Sequence, residues 1–522
     1  MDFDYIVVGA GAAGCALASR LSQDRSVAVL LLEAGSRNWA DYVGRIPRAL
    51  PLILRSDLLT SYPTLPIART GEPDYWVRGR GVGGSTLVNG MMYLRGEPAA
   101  YDDLAAAVGP GWGWTDFRAA YEELESRFVH PSRSSLSGLD RIILDAIEST
   151  GVDIVDDLNG SPGPRAGATP ASISAGRRTS AAVFVAPARH RANLRVLRGT
   201  TAEALVWQGT RVVGVLARRR NDRREIRART VVLCAGTIET PLLLERSGIG
   251  SPAVLHTAGI PLRVENPNVG ERVREQRGQG LQVRLRRSVD DADEVSSRRA
   301  QASQAARYLV SRGGALARPA YDVCALLSSQ PPAVRSAGPS DARSGSAGPA
   351  SDSEVDIQVM AAPFALAPGD VLQPAGYPGV LFSGYPLRPD TLSRIHVDPA
   401  APGGPPIITA RYAETSQDQR AQDATLAALR RLAYSGPLGD LIAGEDHAGP
   451  GSPGTAVYHA VGSAAMGPND DDVVDPALRV RGTDGLRVAD LSILPFHPSG
   501  GTAAPAMAVG WLAGALLIAE RG

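Results

Sequence analysis

Lysine is absent from all 522 residues, so the 54 basic side chains are arginines, and 54 acidic ones balance them to a formal net charge of zero. No global basic field draws nucleic acid or an anionic membrane surface, which leaves a small molecule as the expected partner. Cysteine is nearly absent as well. Cys15, Cys234 and Cys324 lie far apart in apolar sequence, which disfavours a disulfide framework or metal site and points to buried free thiols in a reducing cytoplasm. No apolar run approaches the ~18 residues of a membrane span, and the start "MDFDYIVVGAGAAG" is acidic where a signal peptide carries positive charge. The expectation is a soluble, cytosolic chain. Aromatic residues make up only 5%, too few to favour a pocket of stacked rings. Histidine is scarce, seven in all, so each one can be weighed individually.

Alanine, glycine and arginine dominate, the composition of a GC-rich, bacterial genome. At this length two or three domains, or one large elaborated fold, are expected. The opening reads as a βαβ unit: an apolar strand "YIVVGAG", a helix "AAGCALASRLSQ" and a second strand "SVAVLLLEAG". Gly9, Gly11 and Gly14 form a G-x-G-x-x-G fingerprint between strand and helix. The first glycine permits the tight turn, the second lets the backbone approach a pyrophosphate, and the third lets the helix pack on the sheet. The helix N-terminus offers free N–H groups to the phosphates, and Glu33, closing the second strand, is placed to accept hydrogen bonds from a ribose. This fingerprint does not separate NAD from FAD.

Further on, "NLRVLRGTTAEALVWQGTRVVGVLARR" and "RARTVVLCAG" read as a meander and return strand of the same sheet. Residues 266–450 have a different, arginine-rich texture, with strand-like "QVRLRRSV" and "SRIHVDP" and a helix "SQDQRAQDATLAALRRLAY"; this is the expected second domain. Within it, 328–354 is rich in Ser, Pro, Gly and Ala and reads as a mobile loop, either a plain insertion or a lid. From residue 455 onward the apolar, glycine-punctuated texture returns, ending in the helix "AMAVGWLAGALLIAE".

Two further stretches, "GRGVGGSTLVNGMMYLRGEPAAYD" (79–102) and "GTIETPLLLERSGIG" (236–250), resemble the signature patterns of the glucose-methanol-choline (GMC) family of FAD-dependent oxidoreductases. The likeness continues in "NPNVGERV", "YHAVGSAAMGP" and "VVDPALRVRGTDGLRVADLSILP". It implies an α/β fold with a Rossmann-like FAD-binding domain (1–265 and 451–522, with excursions near 40–75 and 155–190) and an α+β substrate domain on an antiparallel sheet (266–450). It also implies FAD contacts at Ala12, Arg80, Gly83, Gly84, Asn89, Gly90, Met91, Met92, Ala202, Asp490, Leu491, Thr502 and Ala503, beside Gly9, Gly11, Gly14 and Glu33. Some relatives bond FAD through a histidine just before the asparagine; Val88 stands there, so non-covalent FAD is expected. No metal is implied.

The reaction implied is oxidation of an alcohol by hydride transfer to flavin N5, with oxygen or an electron carrier as final acceptor. Removing the hydroxyl proton suits a base titrating near working pH, and the resemblance gives that role to His459 in "YHAVGSAAMG". The family supplies a second histidine or asparagine in the turn before the last helix, where this chain has Gly501. His497 or Ser499 from the same turn, a water, or a substrate group are the open fillers. Gln276 stands where relatives often carry a histidine, in a stretch read as cofactor-covering and without chemistry. Glu445 and Asp446 in "GEDHAGP" offer partners for a cationic sugar, which favours a sugar or amino-sugar (aminoglycoside-type) primary alcohol of bacterial specialised metabolism. A flavin protein without alcohol chemistry is the reading from another class. Oligomeric state is not encoded in these motifs.

Overall fold

Every residue of the run Val29–Glu33 is buried, as befits a central parallel strand covered by helices on both faces. The computed structural model describes residues 3–36, 44–49, 53, 56–68, 70–188, 190–289, 297–329, 355–367, 373–446 and 454–521. In chain order its main elements begin with β1 (Phe3–Val8), α1 (Ala12–Leu21) and β2 (Val29–Glu33), followed by α2 (Gly138–Glu148), β3 (Asp153–Ile154), β4 (Arg165–Ala168) and β5 (Leu194–Arg198). Then come β6 (Thr201–Gln208), β7 (Arg211–Arg219), β8 (Asp222–Leu233), α3 (Gly236–Arg246), β9 (Arg277–Leu285), β10 (Val323–Leu327), β11 (Ile357–Ala362) and β12 (Gly379–Pro386). Last are β13 (Arg394–His396), β14 (Ile407–Thr409), α4 (Ser416–Ala433), β15 (Ile442–Asp446), β16 (Thr455–Ala456), β17 (Leu486–Val488) and α5 (Ala503–Ala519).

The first sheet runs β5-β2-β1-β8-β7-β6, with β17 pairing β8. Strands β5, β2, β1, β8 and β17 are parallel, while β6, β7 and β8 form the expected antiparallel meander. The long β8 does both jobs. Its residues 222–227 pair with β7 and 228–233 with β1. Helix α5 lies against α1 at very short range: a Cβ at Gly510 would overlap the backbone of Ala13, and one at Gly514 would meet the Arg20 stem. Small residues let this apolar helix sit that close, which is why the C-terminus closes on the first domain.

The second sheet runs β15-β9-β12-β11-β10-β4-β3, with β16 pairing β9. All its pairings are antiparallel except β3 with β4. Alternation sorts its faces: Leu281, Val283, Val359 and Phe382 pack with Ile143 of α2 and Leu429 and Leu432 of α4. Cys324, Leu326, Met360 and Tyr385 form a cluster on the opposite face.

Strand β4 lies within the anticipated 155–190 excursion and β3 just before it, and both join this second sheet from before residue 265. One expectation needs correction. "SRIHVDP", assigned above to the substrate domain, instead forms the separate β13–β14 pair, whose Ile395 and Ile408 pack with Ile238 and Leu242 of α3. A three-residue strand carries its apolar pattern but no information about which surface covers it. From residue 330 onward the Ser/Pro/Gly-rich segment to 354, and residues 40–43, 50–52, 54–55 and 69 of the other excursion, lie outside the described residues. Cys15, Cys234 and Cys324 are buried free thiols. Among the described residues no helix is long and apolar enough to cross a membrane.

Candidate active site

The register of the parallel strands aligns their C-terminal ends: Val8 stands beside Leu32 and Leu233, and Leu233 beside Val488. Gly9–Gly11, Glu33, Gly236 and Asp490 therefore emerge along one edge, the crevice where open α/β sheets bind ligands. The three fingerprint glycines divide their labour as expected. Gly9 has a φ of +101°, and a Cβ there would collide with the Cys234 carbonyl. A Cβ on Gly14 would overlap the Gly9 carbonyl, so helix and turn touch at that point. At Gly11 an added Cβ meets nothing within 4 Å, leaving the backbone open to a phosphate. Gly11 also caps α1, and Ala12 begins it, so the helix's first N–H groups face the same opening.

Glu33 acts as a buckle beneath this loop. Its carboxylate accepts the Ala10 N–H (3.0 Å) and the Gly35 N–H (2.7 Å), and burial raises its pKa against those bonds and the Arg80 charge. The "GVGG" turn packs directly on the fingerprint: the Gly83 N–H donates to the Ala10 carbonyl at 2.8 Å, and a Cβ on Gly84 would meet the Gly11 Cα at 2.7 Å. Two motifs 70 residues apart thus form one surface. Buried Arg178 holds Asn89 by its carbonyl and by Oδ1 (2.9 Å), and Asn89 Oδ1 also accepts the Met91 N–H at 3.1 Å. This bonding leaves Met91 at a φ of +65°. Gly90 packs near Ala320, while Met92 sits against the second-sheet cluster.

Asp490 is 3% exposed and fully engaged. It accepts the Gly236 N–H (2.8 Å), the Thr240 hydroxyl (2.7 Å) and the Ser492 N–H (2.8 Å), locking the start of α3 to the end of β17. Its side chain is therefore an anchor, and any ligand contact there passes through backbone groups such as those of Leu491. Thr502 caps α5 and Ala503 begins it. Ala202 is buried at a bulge between β6 and β7, close to Glu33 through the bond from the Thr200 N–H to the Glu33 carbonyl at 2.9 Å.

His459 reaches this crevice from residues 457–461, which lie antiparallel to 274–276. The Val461 and Arg274 peptides exchange two bonds of 3.0 Å, and the Val457 N–H donates to the Gln276 carbonyl. Thr237, in the first turn of α3, donates its hydroxyl to the Ala460 carbonyl at 2.7 Å. The N–H groups of His459 and Ala460 each donate to the Glu275 carboxylate at 2.8 Å. The imidazole is half-buried, stands edge-on to Tyr385 with ring centroids 5.6 Å apart, and has Nδ1 2.7 Å from Gln276 Oε1. Burial, then the nearby His497 and Arg78, pushes its pKa down to about 3, so the ring rests neutral and its basicity lies below the near-working-pH value expected above for the base. Glu275 is pushed up to about 7 by burial, against the pull of Arg78 and of its two N–H donors.

His497 is fully buried. Its Nε2 donates to the His459 carbonyl at 3.0 Å, and Nδ1 has no partner among the described residues. Burial lowers its pKa to about 3, although the bond to His459 opposes this. The turn is fixed underneath, where the Pro498 carbonyl accepts the Glu97 N–H at 3.2 Å, and Ser499 is held at a φ of +54°. Beside it Gly501 faces open space: an added Cβ meets nothing within 4 Å.

Family models described as GMC oxidoreductase match residues 3–276 and 389–510. The chain belongs to the GMC oxidoreductase family. An uncharacterized GMC-type oxidoreductase of Mycobacterium tuberculosis is 31% identical over 97% of this chain and 97% of its own length. An oxygen-dependent choline dehydrogenase of Chromohalobacter salexigens is 28% identical, covering 97% of this chain and 92% of the relative. The crystal structure of pyridoxine 4-oxidase from Mesorbium loti has a TM-score of 0.82 at 25% identity over 98% of each chain.

As a GMC oxidoreductase the protein is an FAD-dependent enzyme acting on alcohols. The open backbone at Gly11, the capped start of α1 and the adjoining Gly83–Gly84 turn fit the pyrophosphate of that cofactor. Val88 packs with Ile53, Leu58 and Leu87 and offers no nucleophile for a covalent link. The acidic pair suggested for a cationic substrate is otherwise occupied. Glu445 pairs with Arg430 at 3.3 Å, and Asp446 accepts from Gln282 and from the Tyr377 hydroxyl; both belong to β15. Sequence reasoning set Gln276 aside and did not single out Glu275 or Tyr385, the groups that hold His459. Their pairing depends on strand register across about 180 residues of chain.

Proposed function

We propose that this GMC enzyme oxidises a primary alcohol to the aldehyde, and onward to the acid where the aldehyde hydrates, with His459 as the base. The observation that carries the reading is the geometry of the His459 imidazole, which is tied at Nδ1 and at both flanking peptides while no described residue hydrogen-bonds Nε2. FAD, when bound, supplies the acceptor for the hydride leaving the carbinol carbon. His459 Nε2 takes the hydroxyl proton as that hydride departs. Glu275 and His497 hold the peptide that carries His459, and Tyr385 restricts the tilt of its ring. Gly501 leaves the far side of the alcohol oxygen to a substrate group or water.

For the substrate we infer a polar, sugar-type alcohol of bacterial specialised metabolism. Gln358 supports polarity: it is fully buried, its Nε2 lies 4.0 Å from Met92 Sδ, and its Oε1 has no partner among the described residues. An oxygen a buried amide cannot satisfy internally favours a ligand that donates to it. The cationic, amino-sugar form loses its support with Glu445 and Asp446 engaged. Assay of neutral sugars, amino sugars, aryl alcohols and aliphatic alcohols tests this, and activity confined to aliphatic chains contradicts it. Oxygen is our first choice of acceptor, in line with the names of the choline- and pyridoxine-oxidising relatives; slow reoxidation on mixing with air would assign an electron carrier instead. FAD is held without a covalent bond, so acid precipitation should leave the yellow colour in the supernatant.

A further inference from the structure

We propose that Gln276 is the positioning residue that fixes the tautomer of His459, keeping its proton on Nδ1 so that Nε2 presents a lone pair to the alcohol. This rests on His459 as the base and adds what selects the competent form of the ring.

The assignment follows from which atoms can donate. A backbone carbonyl only accepts, so the Gln276 amide is oriented by its 2.7 Å bond to the Leu387 carbonyl, which requires Nε2–H at that end. Gln276 Oε1 is thereby left facing His459 Nδ1 at 2.7 Å. Because that oxygen also only accepts, His459 must supply the proton from Nδ1, and a neutral ring has one N–H. Both ends of the relay are rigid. Leu387 follows β12 and its N–H donates to the Asp356 carbonyl at 2.8 Å. Gln276 is fully buried immediately before β9. The groups facing the imidazole are Gln276, Tyr385, Arg78 and His497, with Glu275 beneath its peptide and Asp74 and Tyr458 close by. Gln276 is the neutral acceptor among them that reaches Nδ1. A glutamine suits the role because a carboxylate in its place would stabilise the imidazolium and draw the ring toward its protonated, non-basic form.

The test uses holoenzyme with ¹⁵N-labelled histidine imidazoles, His459 being assigned by the signal lost in His459→Asn. Wild-type enzyme should show His459 as the neutral Nδ1–H tautomer from pH 5 to 9. Gln276→Leu should redistribute the proton toward Nε2 and lower kcat on the order of 10- to 1000-fold with KM within about twofold, as expected when a base is held in the wrong tautomer. Gln276→Glu should keep Nδ1–H but raise the pH at which imidazolium appears, with an acid limb in kcat/KM at the same pH. A wild-type Nε2–H tautomer, or a tautomer unmoved in Gln276→Leu, overturns the proposal; if that variant does not fold, an unshifted titration in Gln276→Glu does so. Full activity in His459→Asn would instead refute the base itself, an outcome separate from any tautomer spectrum.

Discussion

Gly501 stands where the family resemblance implies a second histidine or asparagine, and the surrounding geometry says what a replacement would do. Its Cβ direction is open to 4 Å, so Gly501→Asn should fold with an unchanged melting temperature. If substrate occupies that space, the variant should raise KM for the native alcohol about tenfold, because a well-packed contact is lost or a polar group is left unpaired; a lowered KM in steady-state assays would show that the side chain is tolerated as a partner. His497, expected as one filler for the missing partner, uses its Nε2 on the His459 carbonyl. His459 was singled out because a family motif surrounds it, and its role remains the one proposed above. Gln276 was visible as an oddity but not as a partner, since nothing in "NVGERVREQ" says that its side chain meets a ring more than 180 residues away.

Among the elements, the βαβ opening and the meander were readable from alternation and glycine spacing, and their physical roles can be separated by substitution. Gly11→Val adds a side chain that meets no protein atom at its Cβ, so the melting temperature of the apoprotein should hold while FAD retention falls. Gly14→Val must push α1 away from the Gly9 carbonyl and should cost about 1–3 kcal/mol or fail to fold; equal losses in both variants would contradict the division of roles. The β13–β14 pair was misplaced by sequence texture, and its anchoring shows why: His396 is clamped between Glu245 (2.7 Å) and Glu271 (3.2 Å), residues distant in sequence. Burial works against the charged ring, but the two carboxylates outweigh it and raise its pKa. Stability from this clamp is therefore complete below the unfolded value of about 6.5 and is lost as pH rises through the elevated folded value. His396→Gln should lower the denaturation free energy by about 1–3 kcal/mol at pH 6 and by less at pH 9, as read from denaturant midpoints.

At the scale of the whole molecule, a parallel sheet whose edge carries Gly11, Glu33 and Asp490 stands beside an antiparallel sheet, and His459 lies in the chain joining β16 to β17, edge-on to Tyr385 of the second sheet; the proposed function puts FAD at that edge. A change in texture near 266 accompanies the second sheet, and β4 crosses to it within the excursion read at 155–190. The separate β13–β14 pair was not legible, because it packs on α3, an arrangement set by tertiary packing that local pattern does not encode. Substrate identity is likewise weakly written, since the second-sheet face bearing Gln358, Met360 and Tyr385, to which the proposed function assigns the substrate, is assembled from strands whose sequences are ordinary core. The most direct measurement is anaerobic stopped-flow mixing of FAD-loaded wild-type and His459→Ala enzymes with the alcohol that proves most active, following the flavin's visible absorbance. Bleaching should be fast in the wild type and about 10²- to 10⁴-fold slower in the variant, with FAD content equal in both. Equal bleaching rates would contradict His459 as the base.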